Sequence, residues 1–553
     1  MIVYCLKFLP KKGRFCHMHE WWKKSTVYQI YPRSFCDSNG DGIGDILGII
    51  SKLDELADLG VDLLWLSPVY ASPNEDNGYD ISDYCAIHPD FGTMEDMDRL
   101  IAEAKRRGMG IIMDLVINHT STAHPWFQAS RNPESPYRNY YFWRKGGKNG
   151  KLPNNWTGFF GENCWEYDER SGEYYLHLFA RHQPDLNYYE PKVLEEIKKI
   201  LRFWLDKGIA GFRCDVINIL WKDSLDSSPK KLILTGSEHY LSREGTHQIL
   251  RELRKIFDEY NAYTVGETVF VNTQMACDLC APERKELHTV FGFEHMECDQ
   301  KIVKWFKTPH KWGKFMTTLA RWQNEVPWNT IYLENHDQPR SIPRFGSTKY
   351  PMESGKLLAT LLFTLKGTPY VYQGQEIGMT DFDFTSMAQV KDVESVNIYR
   401  LLTSLHIPKA VRWKMIRATS RDNARTPMQW TDRYGAGFTT GTPWLGINAN
   451  HKRINVAAQK NDPTSLRSWY KTLIALRKKS DTLLWGAFEL LEATDTLCAY
   501  RRVGENETLT IVLNCSDSMQ TTGYTGQVVL SSYGSKTFGG TLLPWEAVIL
   551  RGE

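Results

Sequence analysis

The sequence predicts an α/β protein built on a (β/α)8 TIM barrel, with a subdomain inserted after the third strand and an antiparallel β-sandwich domain at the C-terminus. Eight short apolar runs alternate with amphipathic helical stretches, the pattern of repeated β-α units around a parallel sheet. About 70 residues rich in Tyr, Trp, Asn and Gly interrupt this alternation after the third run, which is too long for a simple loop. After about residue 476 the pattern changes to short alternating runs typical of antiparallel strands.

The predicted elements follow one another in chain order. The candidate barrel strands are residues 27–35, 63–68, 110–117, 211–216, 262–268, 289–294, 330–335 and 370–376. Candidate helices include residues 46–59, 94–107, 192–207 and 352–366, and candidate C-terminal strands include 496–501, 508–513 and 547–550. The predicted units are a disordered tail at 1–17, a barrel at 18–118 and 191–476, an inserted subdomain at 119–190 and a β domain at 477–553. An open doubly wound sheet is the weaker alternative, because no Gly-rich phosphate-binding turn follows the first strand.

The composition limits the classes of molecule that we expect the protein to bind. The chain has 553 residues with 67 Lys plus Arg against 65 Asp plus Glu, a formal charge of +2. This balance gives no electrostatic reason to expect nucleic acid or a membrane surface, and no apolar run is long enough to span a bilayer. Eleven scattered cysteines do not resemble a disulfide framework and favour a reducing, cytoplasmic setting. We expect a monomer or a weak homo-oligomer acting on a neutral substrate.

Polar residues gather where four of the candidate strands end. The third strand ends in the segment from Asp114 to His119, the fourth carries Arg213 and Asp215, the fifth ends at Glu267, and the seventh leads into His336 and Asp337. In a barrel these ends converge on one mouth, where active sites are built. Each residue alone could be an ordinary strand-end residue held in hydrogen bonds. Together they indicate a catalytic site, since clustering acidic side chains is costly unless the charges serve a function.

These four segments resemble the signature regions of glycoside hydrolase family 13, the α-amylase family, and the likeness extends from about Trp21 to the end of the chain. Three further segments resemble its oligo-1,6-glucosidase branch: QPDLN at 183–187, GTPYVYQGQE at 367–376 and SRDNARTPMQW at 420–430. The resemblance implies hydrolysis of a glycosidic bond with retention of the α configuration.

The resemblance also implies a role for individual residues. Asp215 is expected to be the nucleophile, Glu267 the general acid and base, and Asp337 the group that stabilises the distorted substrate. Tyr79 is expected to stack on the terminal glucose, and Asp76 and Arg425 to clamp its far hydroxyls. The remaining expected substrate-binding residues are His119, Phe179, Gln183, Arg213, Val216 and His336. On a generic interpretation the two histidines could instead be metal ligands.

The chemistry of a retaining reaction also requires a nucleophile and a separate general acid. Retention requires one carboxylate to attack the anomeric carbon and one to protonate the leaving oxygen, with the two carboxyl groups about 5 to 5.5 Å apart. Arg213 lies two residues before Asp215, so in a strand both side chains point the same way and the guanidinium is predicted to keep Asp215 ionised. Glu267 is predicted to be protonated at neutral pH, and the pair to titrate jointly.

The expected activity is that of an exo-acting α-glucosidase on α-1,6-linked oligosaccharides. Val216 follows the nucleophile, and in this branch Val at that place resembles enzymes that cut α-1,6 links; a plain barrel residue is the alternative. Other substrates for the same machinery are maltose, sucrose or trehalulose, and trehalose 6-phosphate. The last would need cations, for which Lys222, Lys230 and Lys231 are candidates. An inactive transporter-associated barrel protein is the non-enzymatic alternative.

A loop after the first strand suits a hard cation. Oxygen-bearing residues occupy alternate positions there: Asp37, Asn39, Asp41, Ile43 through its carbonyl, and Asp45. The segment resembles the single calcium loop of the glucosidase branch, so the sequence predicts one structural Ca²⁺ and no organic cofactor. A loop of Asx turns without metal is the alternative.

Overall fold

The computed structural model describes residues 20–147 and 150–552, and the predicted tail at 1–17 lies outside this range. Eight strands form one parallel sheet that curves into a barrel, as predicted. In chain order they are β1 (Val27–Ile30), β2 (Leu63–Leu66), β3 (Gly110–Leu115), β4 (Gly211–Cys214), β5 (Tyr263–Glu267), β6 (Thr289–Phe291), β7 (Thr330–Ile331) and β8 (Thr368–Tyr372). Along the sheet their order is β6-β5-β4-β3-β2-β1-β8-β7.

The barrel closes between β6 and β7 through side chains instead of a backbone ladder. The Thr330 hydroxyl donates to the Val290 carbonyl at 2.7 Å, and the Tyr332 hydroxyl donates to the Gly292 carbonyl at 3.0 Å. At the amino ends of the strands, Trp22 stacks on Tyr263 with 5.0 Å between ring centroids. This end of the barrel is therefore packed, and the open end lies at the carboxyl ends of the strands.

The helices pack their apolar faces on the outside of the barrel. The principal helices are Ile46–Ser51, Leu53–Leu59, Met94–Arg106, Pro191–Asp206, Glu244–Glu259, Thr273–Cys280, Trp312–Glu325, Pro351–Thr364 and Leu466–Lys479. Shorter or inserted helices are Pro125–Ser130, Ser341–Phe345, Val393–Ser404, Lys409–Thr419, Asp422–Arg425, Val456–Gln459 and Asp481–Trp485. Nowhere in residues 20–147 or 150–552 is a helix both long and apolar enough to cross a membrane.

Several boundaries differ from the predicted ones. The first predicted helix is two helices, because Lys52 leaves the helical conformation with φ −111° and ψ 2°. β1 ends at Ile30 instead of 35 because the chain turns into a short 3-10 helix at Pro32, which has no N–H to extend the ladder. These shifts leave the topology unchanged.

Two further units attach to the barrel. After β3 the insertion holds a three-stranded antiparallel sheet of Trp143–Arg144, Glu173–Leu176 and Trp165–Asp168. At the C-terminus a five-stranded antiparallel sheet contains Ala487–Ala493, Leu497–Val503, Thr508–Asn514, Ala547–Arg551 and Gln527–Ser531 in that spatial order. A two-stranded sheet of Gln520–Thr521 and Thr541–Leu542 covers one face of it, which makes the predicted sandwich. Hairpins occur at Tyr70–Ala71 with Asp83–Ile87 and at Gln300–Lys301 with Val303–Lys307.

Candidate active site

A pocket of about 250 Å³ opens at the carboxyl ends of the barrel strands, where the sequence predicted a site. Nine of the twelve predicted catalytic and substrate-binding residues line it: Asp76, Tyr79, His119, Phe179, Gln183, Asp215, Val216, Glu267 and Asp337. The other three, Arg213, His336 and Arg425, are almost fully buried behind its wall, where they contact lining residues. The structure therefore gathers the strand-end residues into one place.

Arg213 on β4 binds three carboxylates. Its Nη1 lies 2.5 Å from Asp215 Oδ1 and 2.7 Å from Asp114 Oδ1, and its Nη2 lies 2.7 Å from Glu267 Oε2. Asp215 and Glu267 therefore lie side by side on one guanidinium. Inverting enzymes need about 6.5 to 9.5 Å between their carboxyl groups, so this close placement favours the retaining arrangement.

The ionisation of Asp215 differs from the prediction. Burial raises the pKa of Asp215 well above its ordinary value, against the attraction of Arg213, and the Glu267 carboxylate raises it further. Burial likewise raises the pKa of Asp114 to about 6 in spite of Arg213. One cation cannot compensate three carboxylates, and two carboxylates in contact do not both ionise cheaply. Burial therefore outweighs the effect predicted for Arg213, and the pKa of Asp215 lies above its ordinary value instead of below it.

Val216 has a strained backbone. Its φ of 36° and ψ of 41° fall in the left-handed region, which a β-branched residue rarely enters. In this conformation its N–H donates to Glu267 Oε2 at 3.3 Å, while its side chain lines the pocket. Strain of this kind persists where the surroundings enforce it, which is typical of active sites.

Two arginines contact Asp337, which also lines the pocket. Arg425 Nη2 lies 2.7 Å from Asp337 Oδ1, and Arg421 Nη1 lies 3.5 Å from the same oxygen. Burial alone would raise the pKa of Asp337, but the charges of Arg421 and Arg425 lower it well below its ordinary value. Asp337 is therefore an ionised carboxylate at any ordinary pH.

Asp76 lies beside Arg421, a residue that the sequence did not single out. Arg421 Nη2 lies 3.5 Å from Asp76 Oδ1 and 2.7 Å from Asp392 Oδ1, whereas Arg425 binds Asp337 and the carbonyl of His336. The two arginines lie one helical turn apart, at the start and end of the short helix region of the SRDNAR segment. Arg421 lines the pocket, and Arg425 lies behind it; the predicted contact of Arg425 with the glucose hydroxyls stays a prediction.

Both pocket histidines are neutral. Burial lowers the pKa of His119 to about 4 and that of His336 to about 3. His336 Nε2 lies 2.7 Å from the Tyr79 hydroxyl, and the two rings stack with 5.6 Å between centroids. His119 Nε2 lies 3.1 Å from the Tyr79 carbonyl oxygen. The two rings thus contact Tyr79 from either side, at the innermost part of the pocket.

Comparison with known proteins agrees with this geometry. A family model described as the catalytic domain of alpha amylase matches residues 29–486. The chain belongs to the α-amylase family. It is therefore a glycoside hydrolase.

Relatives within this family cover nearly the whole chain. An oligo-1,6-glucosidase of Parageobacillus thermoglucosidasius is 50% identical over 511 residues, which are 90% of this chain and 91% of that protein. The crystal structure of a trehalose-6-phosphate hydrolase from Bacillus licheniformis has a TM-score of 0.90 at 40% identity, covering 96% of this chain and 99% of the other. That of a trehalulose synthase from Pseudomonas mesoacidophila MX-45 has a TM-score of 0.91 at 40% identity, with the same coverage.

The mouth of this α-amylase-family pocket is formed by residues that sequence reasoning did not single out. Lys304, on the hairpin strand Val303–Lys307, pairs with Glu394 on the helix Val393–Ser404 at 2.5 Å, and both line the pocket. Phe270 and Phe293 lie on the same rim. These segments come from loops after the fifth, sixth and eighth strands, and no motif in the sequence marked them as part of the site.

In the candidate calcium loop, the carboxylate oxygens already accept hydrogen bonds from other groups of the loop. The carboxylates of Asp37, Asp41 and Asp45 accept backbone N–H groups within residues 38–48, and the Asn39 amide donates to Asp41. The oxygen atoms of these side chains suit calcium, but each carboxylate accepts hydrogen bonds from a different set of groups. In the parts of the chain that the structure describes, no group of three or more Asp, Glu, His or Cys side chains could hold a metal ion.

The environment of Asp76 predicts a pH-dependent stability. Burial raises the pKa of Asp76 to about 6, against Arg421 and Arg425, while an unfolded Asp has a pKa of about 4. The folded protein therefore binds this proton more tightly, and the stability that Asp76 contributes falls as the pH rises from about 4 to above 6. We expect Asp76→Asn to remove this loss. The free energy of unfolding of the variant minus that of wild type should therefore be up to about 2 kcal/mol larger at pH 7.5 than at pH 4.5.

Denaturant unfolding of both proteins at the two pH values measures this difference. Asp432→Asn, at an exposed position, is the control and should show no pH-dependent difference. A difference for Asp76→Asn that does not change with pH contradicts the assignment.

Proposed function

We propose that this glycoside hydrolase is a retaining, exo-acting α-glucosidase that removes terminal α-1,6-linked glucose from short oligosaccharides. The proposal rests mainly on the placement of Asp215 and Glu267, whose carboxylates bind the same guanidinium. A relative that is 50% identical is named for this activity, which supports the choice of linkage.

In the proposed reaction, substrate binding accompanies transfer of the shared proton from Asp215 to Glu267. Asp215 then attacks the anomeric carbon while Glu267 protonates the glycosidic oxygen, so the bond to the leaving sugar breaks and a glycosyl ester forms. Glu267, now ionised, takes a proton from a water molecule that hydrolyses the ester and releases glucose with retained configuration. In each step one bond to the anomeric carbon forms as another breaks, and Glu267 carries the proton again at the end.

Asp337 serves a different purpose in this scheme. Because Arg421 and Arg425 keep it ionised, it acts as a hydrogen-bond acceptor for sugar hydroxyls and does not deliver a proton. Charge-assisted hydrogen bonds of this kind are about twice as strong as neutral ones, so they suit a group that holds a distorted ring. We assign Asp337 to stabilisation of the substrate in the transition state.

The charged pair of Asp76 and Arg421 favours attack at a chain end. The two side chains lie 3.5 Å apart among the lining residues of the pocket, and Gln183 donates to Asp76 at 3.3 Å. A charged pair in this position can bind the far hydroxyls of a terminal glucose, and an unmatched substituent would leave its groups desolvated and unpaired. Longer chains would have to leave through the mouth, past Lys304 and Glu394.

The structure gives little support to a phosphorylated substrate. Lys222, one of the three lysines considered for phosphate, is fully buried against Asp185, and Lys231 pairs with Glu238. At the mouth, Lys304 is already paired with Glu394. At each of these three lysines a phosphate would have to displace a carboxylate, which favours a neutral sugar as the substrate. Kinetics with isomaltose, panose, maltose, sucrose and trehalose 6-phosphate test this choice.

We expect Asp215→Asn to lower turnover of an aryl α-glucoside by about 10⁴-fold or more, since the amide can neither attack nor be replaced by a neighbouring nucleophile. The fold should remain intact because Asn is isosteric, and circular dichroism with a thermal melt checks this. Asp223→Asn, at an exposed position in the following loop, should retain full activity. Near-normal turnover by the folded Asp215→Asn protein would refute the mechanism.

We expect Val216→Thr to raise the kcat/KM for maltose relative to that for isomaltose. Val216 lines the pocket beside Glu267, so its shape and polarity affect the room for the leaving sugar. Val216→Ile, which stays apolar and β-branched, is the matched control and should preserve the preference for isomaltose. An unchanged ratio in Val216→Thr would remove the argument for linkage selection at this position.

We also propose that the loop from Asp37 to Asp45 binds one structural Ca²⁺. Binding would require its carboxylates to exchange backbone N–H partners for the cation, with Asn39, Asp41 and the Ile43 carbonyl as further donors. The expected result is a thermal midpoint a few degrees higher in calcium than in EDTA, and Asp41→Asn should abolish that difference. Identical midpoints, with no bound calcium by elemental analysis, would contradict the proposal.

A further inference from the structure

Lys222 is a fully buried lysine that lies behind the pocket, away from the reacting carboxylates. Its Nζ contacts Asp185 Oδ2 at 2.7 Å, Asn118 Oδ1 at 2.9 Å and the Leu220 carbonyl at 3.3 Å. Lys222 and Asp185 side chains are both 0% exposed. A buried ion pair is weak evidence for stability by itself, since desolvation offsets much of the attraction. Stability alone therefore does not explain why Lys222 and Asp185 are buried together.

The insertion brings Asp185 to this place. Residues 184–186 run antiparallel beside 118–120, with Leu186 N–H donating to the Asn118 carbonyl and Thr120 N–H to the Pro184 carbonyl. The backbone N–H of Leu178 also donates to Asp185 Oδ1. The carboxylate is thus fixed from both sides, with its other oxygen left for Lys222 and Asn118.

This ion pair fixes the orientation of the Asn118 amide. The oxygen and nitrogen of an Asn side chain are hard to tell apart by shape, so their assignment depends on the partners. An ammonium has only donors, so Asn118 must present its Oδ1 to Lys222. The carboxylate of Asp185 only accepts, and Asn118 Nδ2 lies 3.1 Å from it. Both partners therefore demand the same orientation.

The amide in turn determines which nitrogen of His119 carries the proton. Asn118 Nδ2 lies 3.3 Å from His119 Nδ1, and a donor in that position requires Nδ1 to accept. The proton of the neutral ring then resides on Nε2, which lies 3.1 Å from the Tyr79 carbonyl oxygen, an acceptor. Gln183 Nε2, also a donor, lies 3.2 Å from the same nitrogen, but it has an acceptor of its own in Asp76 Oδ2 at 3.3 Å. Asn118 and the Tyr79 carbonyl therefore both favour the proton on Nε2, whereas Gln183 would favour an acceptor there.

We propose that Lys222 is a positioning residue for sugar binding: with Asp185 it orients the Asn118 amide, which keeps the proton of His119 on Nε2, facing the pocket. His119 lines that pocket, so a sugar hydroxyl bound there would share the Nε2–H with the Tyr79 carbonyl or take it over. The inference rests on the proposed function in that a sugar must occupy the pocket. Lys222 and Asp185 thus determine the orientation of Asn118, and Asn118 determines the tautomer of His119.

A double-mutant cycle separates this role from a merely structural one. Lys222→Met should lower the kcat/KM of an aryl α-glucoside about tenfold or more, chiefly through KM, because His119 then presents the wrong nitrogen. His119→Gln places an amide that can donate near the Nε2 position in either surrounding. In that background Lys222→Met should cost less than about threefold. Lys230→Met, exposed in the same segment, is the matched control and should have no effect.

A second variant covers the case in which Lys222→Met does not fold. Asn118→Asp keeps the size of the side chain but presents only acceptors to His119 Nδ1, which requires the proton to move there. We expect the same loss of kcat/KM, and again little further loss in the His119→Gln background. Equal losses in both backgrounds for either variant would overturn the proposal, since general loosening of the insertion affects both alike.

Nitrogen-15 NMR of protein labelled at histidine gives a readout that needs no activity. The His119 ring signals, identified by their absence in His119→Gln, should show the Nε2–H tautomer in the wild type and the Nδ1–H tautomer in Asn118→Asp. An Nδ1–H tautomer in the wild type would overturn the inference even if the enzyme cleaves α-1,6 links. Conversely, the expected tautomers in a protein that cleaves no α-glucoside would support the positioning network while refuting the proposed function.

Discussion

Arg213 is a single cation shared by three carboxylates, and this imbalance governs the reactive side of the pocket. Because one guanidinium serves Asp114 as well, it compensates Asp215 only in part, and burial raises the pKa of both aspartates in spite of it. An aspartate that binds a proton readily beside a second carboxylate suits the proton transfer proposed between Asp215 and Glu267.

Asp337 has a different environment, since two arginines contact one of its oxygens. Their charges hold the pKa of Asp337 well below its ordinary value. Arg421 is not reserved for Asp337, because it also contacts the buried Asp392, Asp76 and Glu394. One pocket therefore contains an acid whose pKa burial raises, Asp215, and an acid whose pKa is lowered, Asp337. The groups in contact with each aspartate, and not the residue type, separate the two.

Sequence could predict the parts of this arrangement that topology dictates. Strand ends of a closed barrel must converge, so the positions of Asp215, Glu267 and Asp337 followed from the β-α alternation and the motifs. Three features could not be read in that way. Arg421 and Arg425 differ by one helical turn, the mouth residues Lys304 and Glu394 meet only through long-range packing, and the proton on Asp215 depends on burial and on Asp114. Each requires distances between residues remote in sequence.

The insertion after β3 carries more than a wall of the pocket. It supplies Phe179 and Gln183 to the cavity, but it also supplies Asp185, whose charge is compensated by Lys222 from the segment after β4. The ion pair therefore spans two loops that are joined to adjacent strands of the barrel, and Asn118 lies between them at the end of β3. If Asp185 or Lys222 were replaced by an apolar residue, packing could be restored, yet the Asn118 amide would be free to turn. A buried ion pair in this position is better explained by the orientation it imposes than by the stability it adds.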